Sequence, residues 1–168
     1  HGYYAQHSLT LACHPSETAE RMMVRVAAFA LNAHTVQTLC GGNATLSFGS
    51  GLSDPDDPDL RLTDFTGRCR VWVEVGQPDE RALTRASSRA DRVIVYAFSA
   101  AAEIWWALLA PRLTRQSKIE IWRLTSDDTR RLASLATRSM VLQATVQDGV
   151  MMLGNEADLV TFDPQRLA

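Results

Sequence analysis

Cysteine, lysine and long apolar runs are scarce in this 168-residue sequence. The three cysteines, Cys13, Cys40 and Cys69, lie far apart and form no C-x-x-C pair. That spacing argues against a disulfide framework and against a zinc cage, and the thiols read as small buried side chains. Arg or Glu interrupts every candidate apolar stretch before it reaches the roughly 18 residues of a membrane helix, so the expectation is a cytoplasmic protein with no membrane partner. Repeats and low-complexity tracts are missing too. So is a basic surplus: a net charge of −2 and a pI near 6.1 disfavour tight non-specific binding to nucleic acid. Lys118 is the sole lysine among 17 basic residues, and Arg81, Arg85, Arg89 and Arg92 fall close together as a candidate basic patch.

What is present is an ordinary globular composition, 46% hydrophobic and 21% charged, at the size of one domain spanning residues 1–168. Alternation predicts a strand over residues 8–12. His14-Pro15-Ser16 then opens a helix, with Ser16 as N-cap and Glu17 and Glu20 in its first turn, running to about residue 33. Strands are predicted over residues 45–48, 70–75, 93–98 and 118–124, and helices over 79–90, 100–109 and 127–136. Residues 139–146 and 150–153 read as a hairpin around Asp148-Gly149, and 159–162 as a last edge strand. Strands alternating with helices imply βαβ units: an α/β (α+β) fold with a central mixed sheet flanked by helices.

Candidate chemistry gathers in one region. Glu74 is the only carboxylate inside Val71-Trp72-Val73-Glu74-Val75, and a charge there is costly unless it is paired or metal-bound. Asp59, after Pro58, precedes that strand by a hairpin's length; Asp56 and Asp57 in the adjacent turn are alternatives. Glu20 begins the stripe of Met23, Val24, Ala27 and Leu31. Arg81 follows in the next helix, either as a site cation or as the partner of Glu74. The order resembles the PD-(D/E)XK nuclease superfamily: an acidic helix, then a hairpin carrying Asp and (Asp/Glu)-x-Lys, then a helix and a strand. That resemblance implies Glu20, Asp59 and Glu74 as ligands of Mg²⁺ or Mn²⁺, a metal that polarises a phosphate and activates water, with Arg81 on the phosphate. The pattern breaks two residues after Glu74, where Gly76 stands in place of Lys. Gln77 or Arg81 would have to substitute, and an always-charged Arg only positions or neutralises.

A second resemblance covers most of the chain. His14-Pro15-Ser16-Glu17-Thr18, Glu20-Arg21-Met22-Met23, Gly51-Leu52-Ser53, Trp72 through Arg81, Ile104-Trp105-Trp106 and Leu142 through Gly149 resemble the signature blocks of the bacterial YaeQ family. Members carry a further strand-like N-terminal segment of roughly twenty residues, consistent with a first residue other than Met. The resemblance implies a compact variation of the nuclease fold and leaves the activity open.

Plainer readings stand beside these. Glu17, Arg21 and Arg25 at i, i+4 spacing suit a surface ion-pair strip. Asp79 and Glu80 suit the first turn of a helix after an N1 proline. Trp105-Trp106 reads as one core and one half-exposed indole. Gln143, Thr145 and Gln147 share a strand face and would line a polar cleft. His14 reads as a turn or cap residue, and Ser16 lacks the context of a serine nucleophile. Two functions follow: a metal-dependent phosphodiesterase acting on nucleic acid, or a non-catalytic regulatory protein of this fold that binds nucleic acid or protein. A partner-binding scaffold requires a contiguous apolar surface patch.

Overall fold

The computed structural model describes residues 2–11, 15–50 and 54–168. Cys13, His14 and the Gly51-Leu52-Ser53 block lie outside them. The elements run β1 (Gly2–Thr10), α1 (Ala19–Asn32), α2 (Thr35–Cys40), β2 (Ala44–Phe48), β3 (Leu60–Asp64), β4 (Cys69–Val75), α3 (Glu80–Arg89), β5 (Arg92–Ala97), α4 (Ala102–Leu109) with a 3₁₀ turn at Ala110–Arg112, β6 (Ile119–Arg123), α5 (Ser126–Ala133), β7 (Ser139–Gln147), β8 (Val150–Gly154), β9 (Leu159–Phe162) and β10 (Gln165–Arg166). One mixed sheet was expected, and two sheets form. A six-stranded sheet in the order β10-β6-β5-β4-β3-β2 holds the parallel strands β4, β5 and β6. A four-stranded antiparallel sheet, β1-β7-β8-β9, holds the rest.

Helix α1 explains how the two sheets coexist. Met22, Met23, Val24, Val26, Ala27, Ala28 and Ala30 are buried almost all the way round it, in one core with Leu62, Val71 and Val73 of the large sheet and Leu142, Ala144 and Met151 of the small one. A helix apolar on all sides has to be covered on all sides, and each fully buried Leu or Met contributes about 1.5–3 kcal/mol. On the other face of the large sheet, Trp72, Val93, Val95 and Ile121 pack against Leu83 and Ala86 of α3 and Leu109 of α4.

Local signals decide the helix starts. The N-cap of α1 is Thr18 rather than Ser16: its side chain accepts from the Arg21 amide at 3.1 Å. Starting the helix there leaves Glu17 ahead of it, where its carboxylate turns back toward Arg21 and Arg25. Asp79 caps α3 by accepting from the Ala82 amide at 2.8 Å, so Pro78 lies before the cap instead of at N1.

Candidate functional site

The site forms where β4 ends. Asp59 immediately precedes β3, and the register that sets Leu60 opposite Val73 brings it beside the last residues of β4. Its amide donates to the Val73 carbonyl at 3.0 Å, and its own carbonyl accepts from the Gly49 amide at 2.9 Å. Gly49 permits this close passage, since a Cβ there would lie 2.1 Å from the Pro58 carbonyl oxygen. Asp59 is 1% exposed. Its Oδ2 accepts from the Val75 amide at 2.8 Å, and its Oδ1 accepts from Arg21 Nη2 at 2.8 Å. Asp56 and Asp57 do not enter: Asp56 pairs with Arg85 of α3, and Asp57 with Arg61 and Ser50.

Arg21 sits in the first turns of α1 and also donates to Glu17 Oε2 at 2.7 Å and to the Val75 carbonyl at 3.3 Å. Arg25, one turn on, donates to both oxygens of Glu17, at 2.9 and 2.5 Å. The i, i+4 spacing therefore pairs these residues as the sequence implies, but in a buried network instead of on the surface. Burial works against the charge on Arg21, yet Asp59 and Glu17 outweigh it and hold the guanidinium more firmly protonated than usual. Burial pushes the Asp59 carboxyl upward even with Arg21 alongside.

Glu74 is the half-buried member. Its Oε1 accepts from Trp72 Nε1 at 2.8 Å, two residues back on the same strand face. Burial first, and the negative charge of Asp59 second, push its carboxyl up to about 7 against the pull of the Trp72 bond, Arg21 and Arg85. Near neutral pH this group holds a proton part of the time, as a proton carrier does.

The other candidates are dispersed. Glu20 lies on the α1–α5 seam, where its Oε2 is 3.4 Å from Thr129 Oγ1. Arg81 is exposed, with no ion pair or hydrogen bond among the described residues, and Arg85 is the cation of α3 that influences Glu74. The Gln77 side chain donates to the Phe98 carbonyl. Gln143 and Gln147 lie on β7 of the small sheet, alternating with the inward Met140, Leu142 and Ala144, so they belong to its outer face. Trp105 and Trp106 are both half-buried, and Trp105 Nε1 donates to the Pro78 carbonyl at 2.8 Å.

The donor set does not fit a divalent cation as it stands. Both Asp59 oxygens are engaged, Glu20 faces α5, and no group of three or more His, Cys, Asp or Glu among the described residues is placed to hold a metal. Gly76, in place of the nuclease motif's Lys, has φ +112°, a conformation that a lysine would adopt only under strain. Arg21, Arg25 and Trp72 were not read as site residues from the sequence; the i, i+4 spacing to Glu17 was the signal for the first two.

Comparison with known proteins agrees with the fold. The sequence profile described as YaeQ protein matches residues 1–164. The chain is 36% identical over 150 residues to the YaeQ protein of Escherichia coli strain K12, covering 89% of this chain and 78% of that protein. Against the YaeQ protein of Salmonella typhi it is 37% identical, covering 88% and 77%. The crystal structure of YaeQ from Xanthomonas axonopodis pv. citri superposes with a TM-score of 0.85 at 38% identity, covering 98% of this chain and 89% of that one. That of YaeQ from Pseudomonas syringae gives 0.82 at 30% identity, covering 94% and 83%. By sequence and by structure, this chain belongs to the YaeQ family.

Proposed function

We propose that this chain is a non-catalytic protein-binding regulatory protein on a nuclease-like frame. The observation that carries this reading is the outward face of α4. Ile104 and Leu108, one turn apart, are 69% and 72% exposed, and Ala107 and Pro111 are exposed beside them. Apolar side chains at i, i+3, i+4 and i+7 on the solvent side of a helix are the pattern of a face awaiting a partner. Charge narrows the partner. Trp105 bonds Pro78, and Arg112 pairs with Glu80 at 3.1 Å, so α4 and its 3₁₀ turn lie along the start of α3. Arg81 there, and Arg115 after the 3₁₀ turn, have no acidic partner among the described residues. The occupant is a partner helix with an apolar stripe flanked by acidic residues.

The test is fluorescence anisotropy with a synthetic helix carrying a leucine stripe between glutamates. Saturable binding is expected, lost in Ile104→Lys with Leu108→Lys and weakened in Arg81→Glu. Equal binding by a lysine-flanked helix, indifference to Ile104 and Leu108, or self-association of the chain through α4 would overturn the reading.

A metal-dependent phosphodiesterase acting on nucleic acid is the second reading, favoured by one observation: Glu74, raised to about 7, feels the charge of Asp59. Calorimetric titration of Mn²⁺ into the protein and into Glu74→Gln separates the two. No binding in either is expected. Stoichiometric binding that disappears in the variant would replace the first reading with the second.

A further inference from the structure

A cavity of about 220 Å³ opens at the far end of α1 from the Asp59 site. Asn32, which lines it, ends α1, while Arg21 is in its first turns; at the helical rise the two are about 16 Å apart. The floor is made by register. Ile94 pairs with Glu120 and Tyr96 with Trp122 across the parallel strands β5 and β6, which puts all four side chains on one face. The β7–β8 turn closes one side with Gly149.

The polar groups inside are incompletely used. Asn32 Nδ2 donates to the Ala28 carbonyl at 2.8 Å and to Tyr96 Oη at 2.9 Å. A carbonyl only accepts, so this fixes which end of the amide is nitrogen. Tyr96 Oη therefore accepts from Asn32, and its own proton has no acceptor among the described residues. Asn32 Oδ1, on the same amide, has no donor among them. Both residues are buried, 4% and 5% exposed. The Tyr96 O–H and the Asn32 C=O, side by side, leave one unused donor next to one unused acceptor, a pair that a complementary ligand edge can match. The half-buried Trp122 supplies a flat indole surface, and Ile94 adds apolar contact beside it. At the rim, Arg92 pairs with Glu120 at 2.8 Å and is itself 46% exposed along its side chain.

We propose that this cavity binds a nucleobase by its hydrogen-bonding edge, with Tyr96 donating to a ring or carbonyl acceptor of the base, Asn32 accepting from the adjacent N–H, and Arg92 meeting the phosphate. The size suits the base alone, being below the roughly 300–1,000 Å³ of pockets that enclose drug-sized ligands. The same base edge is presented by a free nucleotide and by a single strand of nucleic acid. This inference is independent of the α4 reading.

Calorimetry with uridine and guanosine 5′-monophosphates tests it, alongside their N3-methyl and N1-methyl analogues, in which the edge donor is blocked. At least one parent nucleotide is expected to bind, with its methylated analogue about ten- to a hundred-fold weaker. Tyr96→Phe, nearly isosteric, should weaken the parent about tenfold. Arg92→Gln, on the rim, should erase any preference for the nucleotide over the nucleoside while leaving the thermal midpoint unchanged, which keeps the test valid if Tyr96→Phe folds poorly. Oligouridylate binding far more tightly than the mononucleotide would assign the base to a single strand; equal binding per site would assign it to a free nucleotide. No binding of either nucleotide up to about 1 mM, or equal binding of the methylated analogues, would overturn the proposal.

Discussion

Glu74 and Arg21 show how burial divides two charged residues that feel the same aspartate. Arg21 has Asp59 and Glu17 within 2.8 Å and stays charged. Glu74 is pushed by burial first and by the charge of Asp59 second, and the Trp72 N–H, Arg21 and Arg85 offset this only in part, so its carboxyl rises from 4.5 to about 7. An acid raised on folding binds more protons folded than unfolded between those two values, so stability falls as pH rises through that window. Glu74→Gln keeps an acceptor for Trp72 and removes the charge. The variant should match the parent protein below pH 4.5 and exceed it at pH 8 by about 3 kcal/mol, read from urea midpoints at each pH. A variant less stable at both pH values would show that the carboxylate is paired after all. The sequence makes Glu74 and Asp59 legible because a lone acid in an apolar strand and an Asp at a hairpin mouth both stand out. It makes Arg21 look like a surface residue because i, i+4 spacing gives partners and says nothing of burial; the contact that buries Arg21 comes from Asp59, 38 residues away.

Strong local patterns locate elements well. The strand expected over residues 70–75 is β4 at Cys69–Val75, and the one over 93–98 is β5 at Arg92–Ala97. Weak ones do not: α2 is six residues with two threonines and a valine, held by its Gly41 C-cap, and β3 follows a turn crowded with Asp and Pro. β1 extends back to Gly2 because it pairs along all nine residues with β7, a long-range partner that local alternation does not reveal. The Asp148-Gly149 turn is the clearest local determinant. Both residues have positive φ, 53° and 83°, as a two-residue hairpin of this hand requires. Gly149→Ala forces a Cβ into that conformation and should cost about 1–2 kcal/mol by urea unfolding. No loss would mean that the turn relaxes to another type.

At the level of the whole molecule, strand order in the sequence says little about which strands pair, and the join between β1 and β7 spans 129 residues, from Thr10 to Ser139. What binds the two sheets into one cooperative unit is α1, covered on one side by each. The tryptophans offer a test, because all four, Trp72, Trp105, Trp106 and Trp122, belong to the large sheet or to α4. Leu142, 1% exposed, belongs to the small sheet and shares the α1 core. Leu142→Ala removes buried methyl groups and leaves a cavity, at a cost of about 2–5 kcal/mol. If the core is continuous, the tryptophan fluorescence midpoint in urea must fall by the full amount and remain coincident with the far-UV circular dichroism midpoint, although no tryptophan lies in the sheet that was changed. A fluorescence transition left in place while the dichroism splits into two steps would mean that α1 belongs to one sheet only and that the other unfolds independently.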